Sequence, residues 1–157
     1  MSDEQRAQDL DEGEIAADYL EGLLDIVDVD GDIEIEETGA RTTLKVGESG
    51  DPSLAMLSAQ EVVSALQDLT RLAVQSHTGE FSRVVLDVAG SQDARTVELR
   101  ALVDDAVARL VGGSDRVALP SMSSYERKLV HDLVAEAGYR SESEGEGRDR
   151  HAVVLPE

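Results

Sequence analysis

Between Ser58 and Gly113 the spacing of apolar residues changes period twice, and that succession restricts the chain to a fold mixing helices with a sheet. Val62, Val63, Leu66, Leu69, Ala73 and Val74 recur at three- and four-residue steps, as on an amphipathic helix reaching about His77. Ser58 and Glu61 have the S-x-x-E spacing of a capping box and mark its start. SRVVLDVAG, residues 82–90, is a short apolar run between two glycine-containing breaks and reads as a buried strand. A second helical pattern begins near Ser91 and runs to Val111, where Gly112-Gly113 stops it.

Upstream, Ile15, Ala16, Tyr19, Leu20, Leu23, Leu24 and Val27 give a further helix ending near Asp28. Ile33 and Ile35 alternate with Glu34 and Glu36, Thr38-Gly39 turns, and Leu44 and Val46 alternate with Thr43 and Lys45, the pattern of a β-hairpin. GESGDPS (47–53) is a loop. Residues 1–13 are acidic with little apolar content and read as a disordered tail. Residues 14–113 are therefore expected to form an α-β-β-α-β-α unit with two or three helices on one face of a three-stranded sheet. Residues 114–157 form a second unit: Ser123 and Glu126 have capping-box spacing, Gly138 closes the helix, and YRSESE and RHAVVL flank the turn GEG (145–147). The fold class is α+β, with GGSDRVALP (112–120) as the bridge.

Charge limits the partners. The chain holds 34 acids and 14 bases, a formal net charge of -20, and residues 1–60 carry most of the excess. Such a field repels phosphate polymers at long range, so any anion site must be local. The chain has no cysteine, which removes disulfides and thiolate metal sites and fits a reducing compartment. No leader-like apolar segment and no run long enough for a membrane span is present, so a cytoplasmic protein without membrane association is expected.

DVDGDIEIEE (28–37) places Asp28, Asp30 and Asp32 as in a calcium loop, but Ile33 stands where glycine is needed and Gly39 where a bidentate glutamate is needed. It reads as a helix exit. With three scattered histidines, no metal or other cofactor is expected; His77 suits a helix end and His151 an exposed strand position. Ser123, Ser124 and His131 lie near each other, but the serines suit capping and no orienting acid is evident, so no catalytic residue is assigned and no enzyme is expected.

SYERKLVHDLVAEAG (124–138) is different. At about 100° per residue, Tyr125, Leu129, Val130, Leu133, Val134 and Ala137 fill one half of the wheel. An arc of about 100° holds Arg127, His131, Ser124, Ala135 and Lys128 without an acid. The charge pattern alone also fits an ordinary solvated face with Arg127 paired elsewhere.

MSSYERKLVH (122–131), followed by SESEG (141–145) and the closing RHAVVL (150–155), resembles the R-3-H domain of the bacterial Jag family (SpoIIIJ-associated, also called KhpB). The resemblance implies single-stranded RNA or DNA binding, with Arg127 on phosphate and His131 hydrogen-bonding or stacking beside it. Ser124 stands where the family has proline, and Arg148 and Arg150 extend the patch. Ahead of this domain the element order resembles the family's type II KH domain, most closely in SALQDLTRLAVQSHTGEFSRVVLDV (64–88).

One departure stands out. A KH domain grips nucleic-acid backbone with a GxxG loop, but that register here holds Leu57, Ser58, Ala59 and Gln60. Leu57 and Gln60 place side chains in the approach path, and Glu48 and Asp51 repel phosphate, so the KH-like unit is expected to be impaired in RNA binding. The other register would use GESG (47–50). By the resemblance, the acidic tail is expected to stand in place of the family's N-terminal Jag domain. The resemblance further implies a regulator of cell elongation or division, partnered by a small KH-domain protein. The competing reading is a protein-interaction module whose acidic KH-like unit docks a basic protein.

Overall fold

The computed structural model describes residues 11–39 and 41–157, so residues 1–10 of the expected tail lie outside the described part. The remainder of that expected tail is ordered. Asp11 caps helix α1 (Glu12–Ile26), its carboxylate accepting from the Glu14 amide while Glu14 reaches back to the Asp11 amide. The chain divides into two compact units, residues 1–93 and 94–157.

In the first unit β1 (Ile33–Thr38) pairs antiparallel with β2 (Arg41–Val46), and β2 pairs parallel with β3 (Val85–Val88). Between β2 and β3 come a 3-10 turn (Pro52–Leu54) and helix α2 (Gln60–Thr78), so the described order is α-β-β-turn-α-β. Apolar residues of α1 (Ile15, Leu20, Leu24) and α2 (Val63, Leu66, Val74) pack with Leu44, Val46, Leu86 and Val88 of the sheet into one core. The register Ile35↔Leu44 and Ile33↔Val46 is that of the expected hairpin.

The start of α2 departs from expectation. Ala59, not Ser58, is the N-cap residue, and no side chain caps the helix. The Ser58 hydroxyl donates to the Ala55 carbonyl at 3.0 Å, because the turn at residues 54–58 folds back on itself before the helix begins. Asp28 leaves α1 with a positive φ of 56° and the chain passes directly to β1, as a helix exit does.

The sequence boundary at 113/114 is corrected to 93/94. Helix α3 (Ser91–Val111) sends Leu99, Val103, Ala106 and Leu110 into the core of the second unit, against Val117, Leu119, Val130, Val134 and Val154. Its amphipathic pattern specified an apolar face without specifying which core receives it. Part of the expected bridge is also a strand. β4 (Val117–Ser121) joins β5 (Arg140–Glu144) and β6 (His151–Leu155) in a sheet of order β4-β6-β5, with helix α4 (Ser124–Glu136) between β4 and β5. Val130, Val134, Val153 and Val154 are fully buried, and each contributes roughly 1.5–3 kcal/mol relative to exposure.

Candidate nucleic-acid interface

The start of α4 is fixed by the capping box read from the sequence. The Ser123 hydroxyl accepts from the Glu126 amide at 3.2 Å, and the Glu126 carboxylate accepts from the Ser123 amide at 2.9 Å. The other carboxylate oxygen accepts from Arg95 Nε at 2.7 Å. The acid next to Arg127 in sequence is thus compensated by a cation from α3 and turned into the cap.

Arg127 is held by neutral groups. Its Nη1 donates to the Met122 carbonyl at 2.8 Å and its Nη2 to the Ser124 hydroxyl at 3.1 Å. The Met122 amide in turn donates to the Arg150 carbonyl at 3.2 Å, which brings the end of β4, the start of α4 and the start of β6 to one corner. Partial burial, and then the like charge of Arg150, push the Arg127 guanidinium below its usual value. An arginine remains cationic under that shift. Arg150 donates to the Gly145 carbonyl at 3.0 Å, which folds it against the hairpin turn, and Arg148 lies exposed in the 3-10 turn Gly147–Asp149. Lys128 is exposed on α4. Among the described residues none of Arg127, Lys128, Arg148 and Arg150 is in an ion pair; the nearby hairpin carboxylate Glu144 is taken by Arg116 at 2.7 Å. The five guanidinium donors of Arg127 are not all used, so the fork can still meet an anion.

His131 sits one turn along α4, half-buried. Its Nδ1 lies 2.6 Å from the Ser141 hydroxyl and its Nε2 3.0 Å from the Ser143 hydroxyl. Both serines lie on one face of β5, two residues apart as strand alternation requires. With both nitrogens occupied, His131 ties α4 to β5. The sequence reading named His131 but missed Ser141, Ser143 and Arg95; the S-x-S spacing in a predicted strand was the available signal for the first two.

In the first unit the tetrapeptide Leu57–Gln60 runs into the first residue of α2, with no residue at positive φ. Leu57 is partly buried against the core, so its side chain turns inward rather than across the approach path. GESG (47–50) follows β2, with Gly47 and Gly50 at positive φ, and does not open a helix. This end of the unit is a groove lined by Asp30, Asp32, Glu34, Glu48, Asp51, Asp87 and Asp93, with Lys45 as its cation. Among the described residues no group of three or more His, Asp or Glu is placed to hold a metal ion, and no helix is long and apolar enough to cross a membrane.

Residues 97–156, nearly coincident with the second compact unit, match the R-3-H domain family model. Most of the chain is similar to larger proteins. RNA-binding protein KhpB of Lactiplantibacillus plantarum is 28% identical over 138 residues, covering 88% of this chain and 42% of the relative. RNA-binding protein KhpB of Bacillus subtilis is 25% identical over 142 residues, covering 87% of this chain and 66% of the relative. DNA-binding protein SMUBP-2 of Mesocricetus auratus is 39% identical over 69 residues, 43% of this chain and 7% of that protein. The second unit is thus an R-3-H domain. Over most of its length the chain is similar to KhpB proteins, and it spans 42% to 66% of the length of the two KhpB relatives above.

Proposed function

We propose that the protein binds single-stranded nucleic acid, RNA in the first instance, through the corner where Arg127 meets Ser124 and Arg150, with Lys128 and Arg148 of the same unit extending it. The observation that carries this reading is a set of four cations without carboxylate partners among the described residues, in a chain of net charge -20. Arg127 forks onto phosphate oxygens, Arg150 and Arg148 follow the backbone from the hairpin, and a base stacks on the His131 ring. Binding is local, because the surrounding field opposes it. The names of the KhpB relatives support RNA over DNA. The KH-like unit contributes little: its GxxG register lacks both glycines and its groove is acidic. No chemical step is involved. On the same family likeness, the protein acts in the cytoplasm as a regulator of cell elongation or division, with a small KH-domain protein as partner.

The test is binding of a fluorescent single-stranded oligoribonucleotide to the full chain and to the Arg127→Ala, His131→Ala double variant. The reading expects micromolar or tighter binding that the variant reduces at least about tenfold, as loss of a forked phosphate contact and a stacked ring does. Equal binding by both proteins refutes it.

A further inference from the structure

The two edges of the first unit's sheet are treated in opposite ways. The outer edge of β3 is closed by side chains. The Leu86 amide donates to Gln67 Oε1 at 3.1 Å, Gln92 Nε2 donates to the Leu86 carbonyl at 2.8 Å, the Val88 amide donates to the Ser91 hydroxyl at 2.9 Å, and Arg71 Nε donates to the Val84 carbonyl at 2.8 Å. A strand edge left unpaired templates further pairing, and here four side chains prevent it.

The outer edge of β1 has no such cover among the described residues. The Gly47 amide donates to the Asp32 carbonyl at 2.8 Å, so the ladder's bonded pairs continue as Glu34↔Lys45 and Glu36↔Thr43. Alternation then directs the N–H and C=O groups of Ile33, Ile35 and Glu37 away from β2. No hydrogen bond to them is found among the described residues. Five of the six β1 residues are exposed, and Ile35 is 39% exposed although it is apolar.

We propose that the outer edge of β1 is a strand-addition site for an extended segment of another protein in which basic and apolar residues alternate. The main-chain groups of Ile33, Ile35 and Glu37 supply the ladder, and the side chains select the occupant. Ile33 and Ile35 lie on one face and take the apolar residues. Glu34 and Glu36 lie on the other, beside the carboxylate groove, and take Lys or Arg. A cation of β2 competes there: Lys45 pairs with Glu36 at 2.6 Å. A second copy of this chain is excluded as occupant, since antiparallel pairing of β1 with itself about Ile35 sets Glu34 of each copy against Glu36 of the other. The site is independent of the nucleic-acid face.

The test uses the full chain and a synthetic octapeptide alternating lysine and valine. On binding, amide hydrogen exchange at Ile33, Ile35 and Glu37 slows at least about tenfold, while Glu34 and Glu36, already in the ladder, change little. Methylating alternate peptide amides removes the peptide's donors and abolishes binding, and Glu34→Lys with Glu36→Lys weakens it about tenfold or more without altering the backbone. Arg127→Ala with His131→Ala leaves peptide binding unchanged, which separates this site from the nucleic-acid face. Equal binding of the methylated peptide means attraction to the acidic surface alone and overturns the proposal, as does unchanged exchange at the three amides.

Discussion

His131→Ala tests how far the nucleic-acid face depends on a histidine that touches two serines. The substitution removes two hydrogen bonds, at 2.6 Å to Ser141 and 3.0 Å to Ser143, each worth about 1 kcal/mol net. The serine hydroxyls are half-buried and can turn to water, so no full desolvation penalty is added. The expected loss is about 2 kcal/mol, most of it shared between α4 and β5. In urea this lowers the unfolding midpoint by about 1 M if the slope is about 2 kcal/mol per M. Unfolding is followed at amides of α4 and β5, so that the second unit's transition is read separately. A double-mutant cycle against Ser141→Ala with Ser143→Ala isolates the coupling, expected at about 1.5–2 kcal/mol. A loss below about 0.5 kcal/mol, additive with the serine changes, refutes the tie. His131→Ala is also expected to weaken RNA binding without changing its salt dependence, since no phosphate contact is removed.

Other substitutions test the supporting framework. Arg95→Ala breaks a pair whose side chains are only 20% and 15% exposed, and a loss of about 2–3 kcal/mol is expected by urea unfolding, because Glu126 is left with one partner fewer. Ala59→Asp adds the missing cap of α2 and is expected to raise the first unit's stability by about 1 kcal/mol, whereas Ser58→Ala, outside the cap, changes it by less than about 0.5 kcal/mol. Gly145 has φ of 85° and an added Cβ meets the Asp149 carbonyl oxygen at 2.7 Å. Gly145→Ala is therefore expected to cost about 2 kcal/mol or more and to disturb the turn that carries Arg148 and Arg150, read as thermal destabilisation together with weaker RNA binding.

Much of the site was legible because its determinants are local. The S-x-x-E box at Ser123 and the acid-free arc through Ser124, Arg127 and His131 depend only on residues within about two helical turns. What was not legible depends on distant pairing. β4 falls largely within the stretch read as a bridge, and its Pro120 is tolerated because the strand lies at a sheet edge. Helix α3 was assigned to the wrong unit because an amphipathic stripe does not name its partner. Ser58 has the cap's spacing, yet its hydroxyl is drawn to the Ala55 carbonyl by a turn that the pattern did not reveal. The Arg95–Glu126 pair and the two serines around His131 join residues far apart in sequence, and no periodicity encodes them.

The central claim is that a small cationic corner carries nucleic-acid binding on an otherwise acidic protein. The salt dependence of single-stranded RNA affinity tests it most directly. With Arg127, Lys128, Arg148 and Arg150 on phosphates, log K is expected to fall with log salt at a slope of about -3, and Arg127→Ala with Arg150→Ala reduces that slope to about -1.4. A slope that the double variant leaves unchanged places the phosphates elsewhere and contradicts the account.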